Sequence, residues 1–355
     1  MTFDGLMMER LGVVMTPAEN NAAEEWGVLN PASARDRNGN LLLFPRLVAA
    51  GNYSRIGRAR VLFGAAGTPT GVERLGVALE PVEPWERRTR SGGVEDPRIT
   101  YIDALDSHVM TYTAYGPTGP RIGLAVSDDL ESWRRLGPAL FAYQPDLGVD
   151  LNLYTNKNAA FFPEPVSAPD GTPSLAMLHR PSWELGETPG GGERAAPPAA
   201  VRDPRPGIWV SFVALERVQA DLGAIAYLSQ HRAVAQPEQE WEALKIGAGP
   251  PPVRRPGGWL LLYHGVRGRI VTGTDHQPHV RYCVGAMLLD TDDVTRVAAR
   301  SAEPLLEPEE QTEREGIVPN VVFPTAIDVR SQTEADVYYG MADSRIGVAR
   351  LTNGR

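Results

Sequence analysis

The sequence predicts an all-β protein, a five-bladed β-propeller, and three observations predict it. Gly (36) and Pro (31) together make 67 of the 355 residues, a share that calls for many turns rather than long helices. Five times along the chain a β-branched or aromatic strand is followed by a loop and a second strand with a small residue near its start. The kernel Arg-Ile-Gly-x-Ala recurs at 55–59, 121–125 and 345–349. Successive first strands are roughly 65 to 85 residues apart, which suits four-stranded blades and is too long for a solenoid.

Each unit reads as strand A, turn, strand B, loop, strand C. The first is LNPASA (29–34), Asp-Arg-Asn-Gly at 36–39, LLLFPRL (41–47) and SRIGRARV (54–61). The second is VEDPRIT (94–100), HVMTYTAYG (108–116) and RIGLAVS (121–127), with a weakly marked fourth strand near 132–137. The third is NKNAAFFPEP (156–165), Pro-Asp-Gly at 169–171, SLAMLHRPS (174–182) and GIWVSFV (207–213). Its Gly/Pro/Glu-rich stretch 184–206 reads as a mobile insertion loop. Residues 214–233 hold a short helix at most, since Gly223 and the lack of caps oppose more. The fourth is GAGPPPVRR (247–255), Pro-Gly-Gly at 256–258, GWLLLYHGV (258–266) and YCVGAMLLD (282–290). The fifth is VPNVVFPTAI (318–327), DVYYGMADS (336–344) and RIGVARL (345–351). The expected organisation is an N-terminal extension, 1–28, packing on a single catalytic propeller domain, 29–355. An all-β sandwich is the competing architecture.

Composition excludes several function classes. A formal charge of -9 argues against a nucleic-acid or anionic-membrane partner, which would want a basic face. The single cysteine, Cys283, cannot form an intrachain disulfide framework and fits a reducing compartment. The first residues lack a basic stretch followed by an unbroken apolar core, and no apolar run is long enough to span a bilayer. A cytoplasmic location is therefore expected. The six histidines show no metal-ligand spacing, and His276 and His279 lie in a polar loop where solvation is the simpler reading. There is no Walker loop, no GxGxxG opening a helix and no GxSxG elbow. No metal and no cofactor are expected.

Antiparallel A and B strands put the start of each A and the end of each B at one end of the unit. The A starts bring Asn30, Asp96, Lys157 with Asn158, Gly249 and Asn320 to a shared mouth. The B ends bring Arg46, Tyr115, Arg180, Tyr263 with His264, and Asp343. The C starts add Ser54, Arg55 and Arg121. Polar tips on otherwise apolar strands at a common mouth are where a site is expected. Arg46, Arg55, Lys157, Arg180 and His264 make this collection basic within an acidic chain, which implies a bound anion, and phosphate suits Arg and Lys. Ordinary ion pairing between units is the competing explanation. Of the 35 basic residues only Lys157 and Lys245 are lysine, so a lysine at the mouth suggests a place where a compact ammonium is wanted.

The segments Gly93-Val94-Glu95-Asp96-Pro97-Arg98-Ile99, Asn156-Lys157-Asn158-Ala159, Met177-Leu178-His179-Arg180-Pro181, Lys245-Ile246-Gly247-Ala248-Gly249-Pro250-Pro251, Tyr263-His264-Gly265, Val318-Pro319-Asn320 and Tyr338-Tyr339-Gly340-x-Ala342-Asp343 closely resemble glycoside hydrolase family 130. The matches run in order from about residue 29 to 351. The resemblance implies a five-bladed propeller and inverting phosphorolysis of a β-mannoside to α-mannose 1-phosphate, with inorganic phosphate as co-substrate. It leaves room for a homo-oligomer. A minority of the family are hydrolases, and a non-catalytic sugar-binding propeller is a further alternative.

By the same resemblance Asp96 is the general acid, passing its proton to the glycosidic oxygen through the mannose 3-hydroxyl. Arg55, Lys157, Arg180 and Tyr263, with His264 beside them, match the phosphate-binding positions. Arg46 and Asp343, and more loosely Asn30, match positions around the mannose and phosphate; Tyr115 and Asn158, placed at the same mouth by the strand geometry, are also expected to bind substrate. An inverting hydrolase needs an acid and a separate carboxylate base, whereas phosphate is already a nucleophile. Alternation along the strand is expected to send Glu95 to the face opposite Asp96, so Glu95 is not the missing base; Glu164 and Glu315 are the other candidates. The chain departs from the family pattern at Asn158 (Asp in many relatives), at Pro45 (Tyr before the first mouth arginine) and in the loop 184–206.

Overall fold

The structure is a computed structural model that describes residues 5–88, 91–148, 150–185, 201–271 and 277–353. It is all-β. Strand β1 (Leu6–Met15) is followed by five antiparallel units. Unit 1 is β2 (Gly27–Arg35), β3 (Leu41–Ala49), β4 (Tyr53–Phe63) and β5 (Pro69–Leu79). Unit 2 is β6 (Gly92–Ile102), β7 (Ser107–Gly116), β8 (Gly119–Ser127) and β9 (Arg134–Pro138). Short β10 (Leu140–Phe141) precedes unit 3, which is β11 (Tyr154–Phe161), β12 (Val166–Ser167), β13 (Pro173–Leu185), β14 (Ile208–Ala214) and β15 (Tyr227–Ala235). Unit 4 is β16 (Lys245–Ala248), β17 (Val253–Arg255), β18 (Gly258–Gly268), β19 (Val280–Leu289) and β20 (Val297–Arg300). Unit 5 is β21 (Val322–Val329), β22 (Glu334–Met341) and β23 (Arg345–Asn353). Its fourth strand is β1, which runs antiparallel along β23 from Leu6 opposite Asn353 to Met15 opposite Ile346.

Apolar cores lie between consecutive units. Phe44 and Ile56 meet Val94 and Ala125 between units 1 and 2, and Ile122 and Leu124 meet Phe161 and Met177 between units 2 and 3. Phe162 and Phe212 meet Trp259 and Met287 between units 3 and 4, and Leu262 meets Val337 between units 4 and 5. A fifth core joins the last unit to the first, where Tyr338 and Val348 pack on Val28 and Leu43. Side chains of this size each contribute about 1.5 to 3 kcal/mol on burial.

The recurrent glycine of strand C has a steric cause. In units 2, 4 and 5 a tyrosine on strand B stands opposite this glycine: Tyr112 opposite Gly123, Tyr263 opposite Gly285 and Tyr339 opposite Gly347. A Cβ at Gly123 would lie 2.3 Å from the Tyr112 ring, so only glycine leaves room for the ring to cross the strand. Each hydroxyl then donates to a buried glutamate that caps a short turn: Glu86 (2.6 Å), Glu242 (2.5 Å) and Glu313 (2.9 Å). The same glutamates receive Arg135 from β9, Arg300 from β20 and Arg10 from β1. In unit 1 Pro45 holds the tyrosine position. A cavity of about 110 Å³ opens there, lined by Glu24, Pro45, Gly57 and Arg74.

The helical reading of 214–233 reduces to α1 (Leu215–Ala220) and a single-turn helix over Leu222–Ala226, after which the chain enters β15. Strand A of unit 4 is split by Gly249-Pro250-Pro251-Pro252 into β16 and β17, since proline offers no N–H to the ladder. Most of the expected loop 184–206 lies outside the described residues, as does His276. Among the described residues no helix is long and apolar enough to cross a membrane.

Candidate active site

The A strands of units 1, 2 and 3 each carry a two-residue bulge. The ladder skips from Leu29 to Ala32, from Glu95 to Arg98 and from Lys157 to Ala160, so two residues oppose one on strand B. Asn30, Asp96 and Asn158 occupy these bulges at φ of 44°, 48° and 55°. Asn and Asp tolerate this left-handed region better than other side chains, and a bulge re-aims the side chain it carries. All three line one cavity of about 280 Å³ to which every unit contributes.

Units 1, 2 and 5 supply an arginine among carboxylates. Arg46 donates to Ser54 Oγ (2.8 Å), Glu95 Oε1 (3.0 Å) and Asp96 Oδ1 (3.3 Å). Asn30 Nδ2 donates to the same Asp96 oxygen at 2.9 Å. Burial pushes the Asp96 carboxyl up, but the charges of Arg46, Arg98 and Lys157, with the Asn30 hydrogen bond, outweigh it and hold it below the usual range. Asp343, at φ 50° in the turn after β22, goes the other way. Burial pushes its carboxyl up to about 6; Arg46 opposes this, while Asp96 and Glu95 add to it.

Units 3 and 4 supply cations and hydrogen-bond donors. Lys157 Nζ lies 3.7 Å from Glu95 Oε2 and over the Tyr115 ring at 5.3 Å. Arg180 donates to His264 Nε2 at 3.1 Å. Burial, with Arg180, Arg98 and Lys245 nearby, drives the His264 pKa far down, so the ring is neutral and Nδ1 carries its proton. Lys245 stands over the Tyr282 ring at 5.5 Å, and burial raises the Tyr282 hydroxyl to about 12 although Arg180 opposes it. Asn30 Oδ1, Asn158 Oδ1, Arg180 Nε and His264 Nδ1 are buried without a hydrogen-bond partner among the described residues. All four residues line the cavity, and unpaired buried polar atoms are uncommon away from functional sites.

Nine of the eleven expected residues converge here: Asn30, Arg46, Asp96, Tyr115, Lys157, Asn158, Arg180, His264 and Asp343. Tyr263 and Arg55 do not. His264 faces the cavity, so its neighbour Tyr263 faces the other way, against Trp241 and Glu242. Ser54 likewise faces in, and Arg55 turns out to pair with Glu80 at 3.0 Å. The expectation for Glu95 is also corrected. The bulge breaks strict alternation at Glu95-Asp96, and both carboxylates line the cavity and meet Arg46. Glu164 and Glu315 are exposed and lie off this cavity.

Sequence reasoning missed Tyr282 and, as a site residue, Lys245. The scarcity of lysine was a usable signal, because both lysines of the chain line the same cavity. Tyr282 gave none, since it reads as an ordinary strand aromatic.

Residues 7–354 match the family model described as beta-1,4-mannooligosaccharide phosphorylase. The chain is 32% identical over 342 residues to a 1,2-beta-oligomannan phosphorylase of Thermoanaerobacter sp. (strain X514), covering 95% of this chain and 94% of that protein. It is 34% identical over 274 residues to a beta-1,2-mannobiose phosphorylase of the same organism, covering 76% and 70%. The solved beta-1,2-mannobiose phosphorylase of Listeria innocua, in complex with beta-1,2-mannobiose, superposes with a TM-score of 0.68 at 22% identity, covering 97% of this chain and 96% of that one. The cavity motifs and the full-length match lead to one assignment: the chain belongs to glycoside hydrolase family 130.

Proposed function

We propose that the protein is an inverting β-mannoside phosphorylase that converts a β-mannoside and phosphate to α-mannose 1-phosphate and the shortened sugar. The observation that carries this reading is the division of the cavity. Carboxylates come from units 2 and 5, while Lys157, Arg180, Lys245, neutral His264 and Tyr282 come from units 3 and 4. Arg180 pairs there with a neutral imidazole, which leaves its charge for an anion. Two relatives that are 32% and 34% identical to this chain over the aligned residues are named for β-1,2-linked mannosides, so this linkage is the first to test.

In this reading phosphate, held by Lys157, Arg180, Lys245, His264 and Tyr282, attacks the anomeric carbon from the face opposite the leaving oxygen. The C1–O bond to the acceptor breaks as the C1–O bond to phosphate forms, and the single displacement inverts the anomeric centre. Asp96 supplies the proton to the leaving oxygen, through the sugar 3-hydroxyl as the family resemblance implies. Asp96 is held anionic in the free site. Incoming phosphate adds negative charge to the same cluster of cations, which favours the protonated, donating form. Asn30, Arg46, Tyr115, Asn158 and Asp343 bind the sugar.

The five units with five shared cores support closure as a five-bladed propeller, with β1 completing the last blade and the chain forming one catalytic domain. A cytoplasmic location, reducing for Cys283, fits an enzyme that uses phosphate. Glu95 at the cavity favours one second reading, hydrolysis with Glu95 as base; its pairing with Arg46 and Lys157 opposes it. Incubation with β-1,2-mannobiose, with and without phosphate, separates the two. Mannose 1-phosphate should form only with phosphate; mannose released equally fast without it would reverse the assignment.

A further inference from the structure

Next to the acid lies a cation that, among the described residues, donates to no carboxylate. Arg98 is 1% exposed. Its guanidinium is spent on carbonyl oxygens: Asp96 O at 2.8 Å, Gly249 O at 3.1 Å and Ala248 O at 3.3 Å. The Phe323 ring lies 5.6 Å away on the remaining side. One side chain therefore ties the Asp96 bulge of unit 2 to the end of β16 in unit 4 and to β21 in unit 5. It does not line the cavity, so it cannot touch substrate.

Such a residue is expensive to keep. A buried guanidinium with no carboxylate hydrogen-bonded to it loses its hydration, and its own pKa falls to about 10, with burial the leading cause and the nearby Asp96 charge opposing it. Stability alone would favour an apolar side chain at a place like this. Two features of its position give it another use. Asp96 sits at φ 48° in a bulge, a conformation that persists only where its surroundings hold it, and Arg98 grips the carbonyl of that same residue. Arg98 also adds positive charge to the group formed by Arg180, Lys157 and Lys245, in a region where water does not screen it.

We propose that Arg98 is a positioning residue for catalysis, fixing the Asp96 bulge from below and supplying buried positive charge to the phosphate site above it. The proposal rests on the phosphorylase reading for its second half only. Lysine at 98 keeps the charge but cannot reach three carbonyls with one planar fork; methionine removes both functions.

The test is steady-state kinetics of Arg98→Lys and Arg98→Met on β-1,2-mannobiose and phosphate, each normalised to folded protein by thermal melt and circular dichroism. Arg98→Lys should lose about 10- to 100-fold in kcat while its phosphate KM stays within about threefold of wild type. Arg98→Met should show the same loss in kcat and, in addition, a phosphate KM raised about tenfold or more. Mannobiose KM should move less in both. A folded Arg98→Lys with wild-type kcat overturns the positioning role, and that variant alone decides if Arg98→Met does not fold. Equal phosphate KM in a folded Arg98→Met overturns the electrostatic role. If the wild type needs no phosphate, the phosphorylase reading fails separately, and the loss in kcat still tests the grip on Asp96.

Discussion

Asp343→Asn should make the protein more stable and a poorer enzyme, with the stability gain appearing only above a certain pH. Asp343 lies at φ 50° beside the cavity, and Asn already holds that conformation at positions 30 and 158, so the backbone accepts the change. Burial pushes the Asp343 carboxyl up to about 6 from an ordinary 3.8. The folded state thus holds this proton more tightly than the unfolded chain does. Stability therefore falls as pH rises from about 4 to about 6, and the loss is complete above that window. The displacement corresponds to about 3 kcal/mol at neutral pH, reduced by cavity water because the side chain is only half-buried. Asn carries no charge and avoids this cost. In a chain of 355 residues the gain should raise Tm by about 2 to 4 °C at pH 7.5 and by almost nothing at pH 4. The assay is thermal unfolding of both proteins from pH 4 to pH 8 in phosphate-free buffer. A Tm difference that is the same at every pH, or a variant less stable than wild type at pH 7.5, refutes the reasoning. Mannobiose KM should rise about tenfold in the same variant.

Four further outcomes are expected. Asp96→Asn keeps its left-handed backbone and its fold but loses about 10² to 10⁴ in turnover; wild-type turnover would pass the acid role to Asp343. Lys157→Arg preserves charge yet places a longer planar group against the Tyr115 ring, so the phosphate KM should rise about tenfold with a smaller change for mannobiose. An unchanged phosphate KM would leave the anion site to Arg180 and Lys245. Tyr282→Phe should raise the phosphate KM, whereas Tyr263→Phe should leave it alone and cost about 1 to 3 kcal/mol of stability, because Glu242 and Arg300 lose a buried partner; the reverse pattern in kinetics and melts would restore Tyr263 to the site. Pro45→Tyr should stabilise unit 1 by about 1 to 2 kcal/mol by filling the 110 Å³ cavity and reaching Glu24, and a lowered Tm would show that unit 1 cannot adopt the arrangement of its neighbours.

The strands were legible because period-2 apolar patterns and turn residues are local signals, and the five A-B-C sets fall on observed strands. The fourth strands were mostly not legible. They lie on the outer edge, where β5 and β20 are half exposed and apolar alternation fades. The most distant of them, β1, pairs with residues more than 330 positions away, which no local pattern reveals. At the site the shared mouth was readable, but facing direction was not. Strand ends and the family resemblance both put Tyr263 and Arg55 at the mouth, although each has a neighbour, His264 or Ser54, that takes the inward face. Glu95 was assigned outward by an alternation that the bulge suspends.

The bulges did have a signature, and it explains why the site stands where it does. Asn and Asp are disfavoured in strands, yet Asn30, Asp96 and Asn158 each stand inside an A strand. A polar residue that accepts φ near +50° is what a bulge needs in order to re-aim its side chain, and all three line the cavity. In units 2 and 3 the strand-B residue facing the bulge is also anchored by hydrogen bonds, which helps fix the re-aimed group. In unit 2 that anchor is Tyr112, which reaches through the gap left by Gly123 to Glu86 and Arg135. Unit 3 solves the same problem without a carboxylate: His179 faces the Asn158 bulge and is held by Asn156 (3.0 Å) and by Ser211 (2.8 Å), which in turn binds His231 (2.7 Å). Burial keeps both histidines neutral. A buried Glu at that position would place negative charge directly behind Arg180 and compete for the cation that the phosphate reading requires. The one described unit with an imidazole anchor is thus the unit that contributes both Lys157 and Arg180 to the anion side of the cavity.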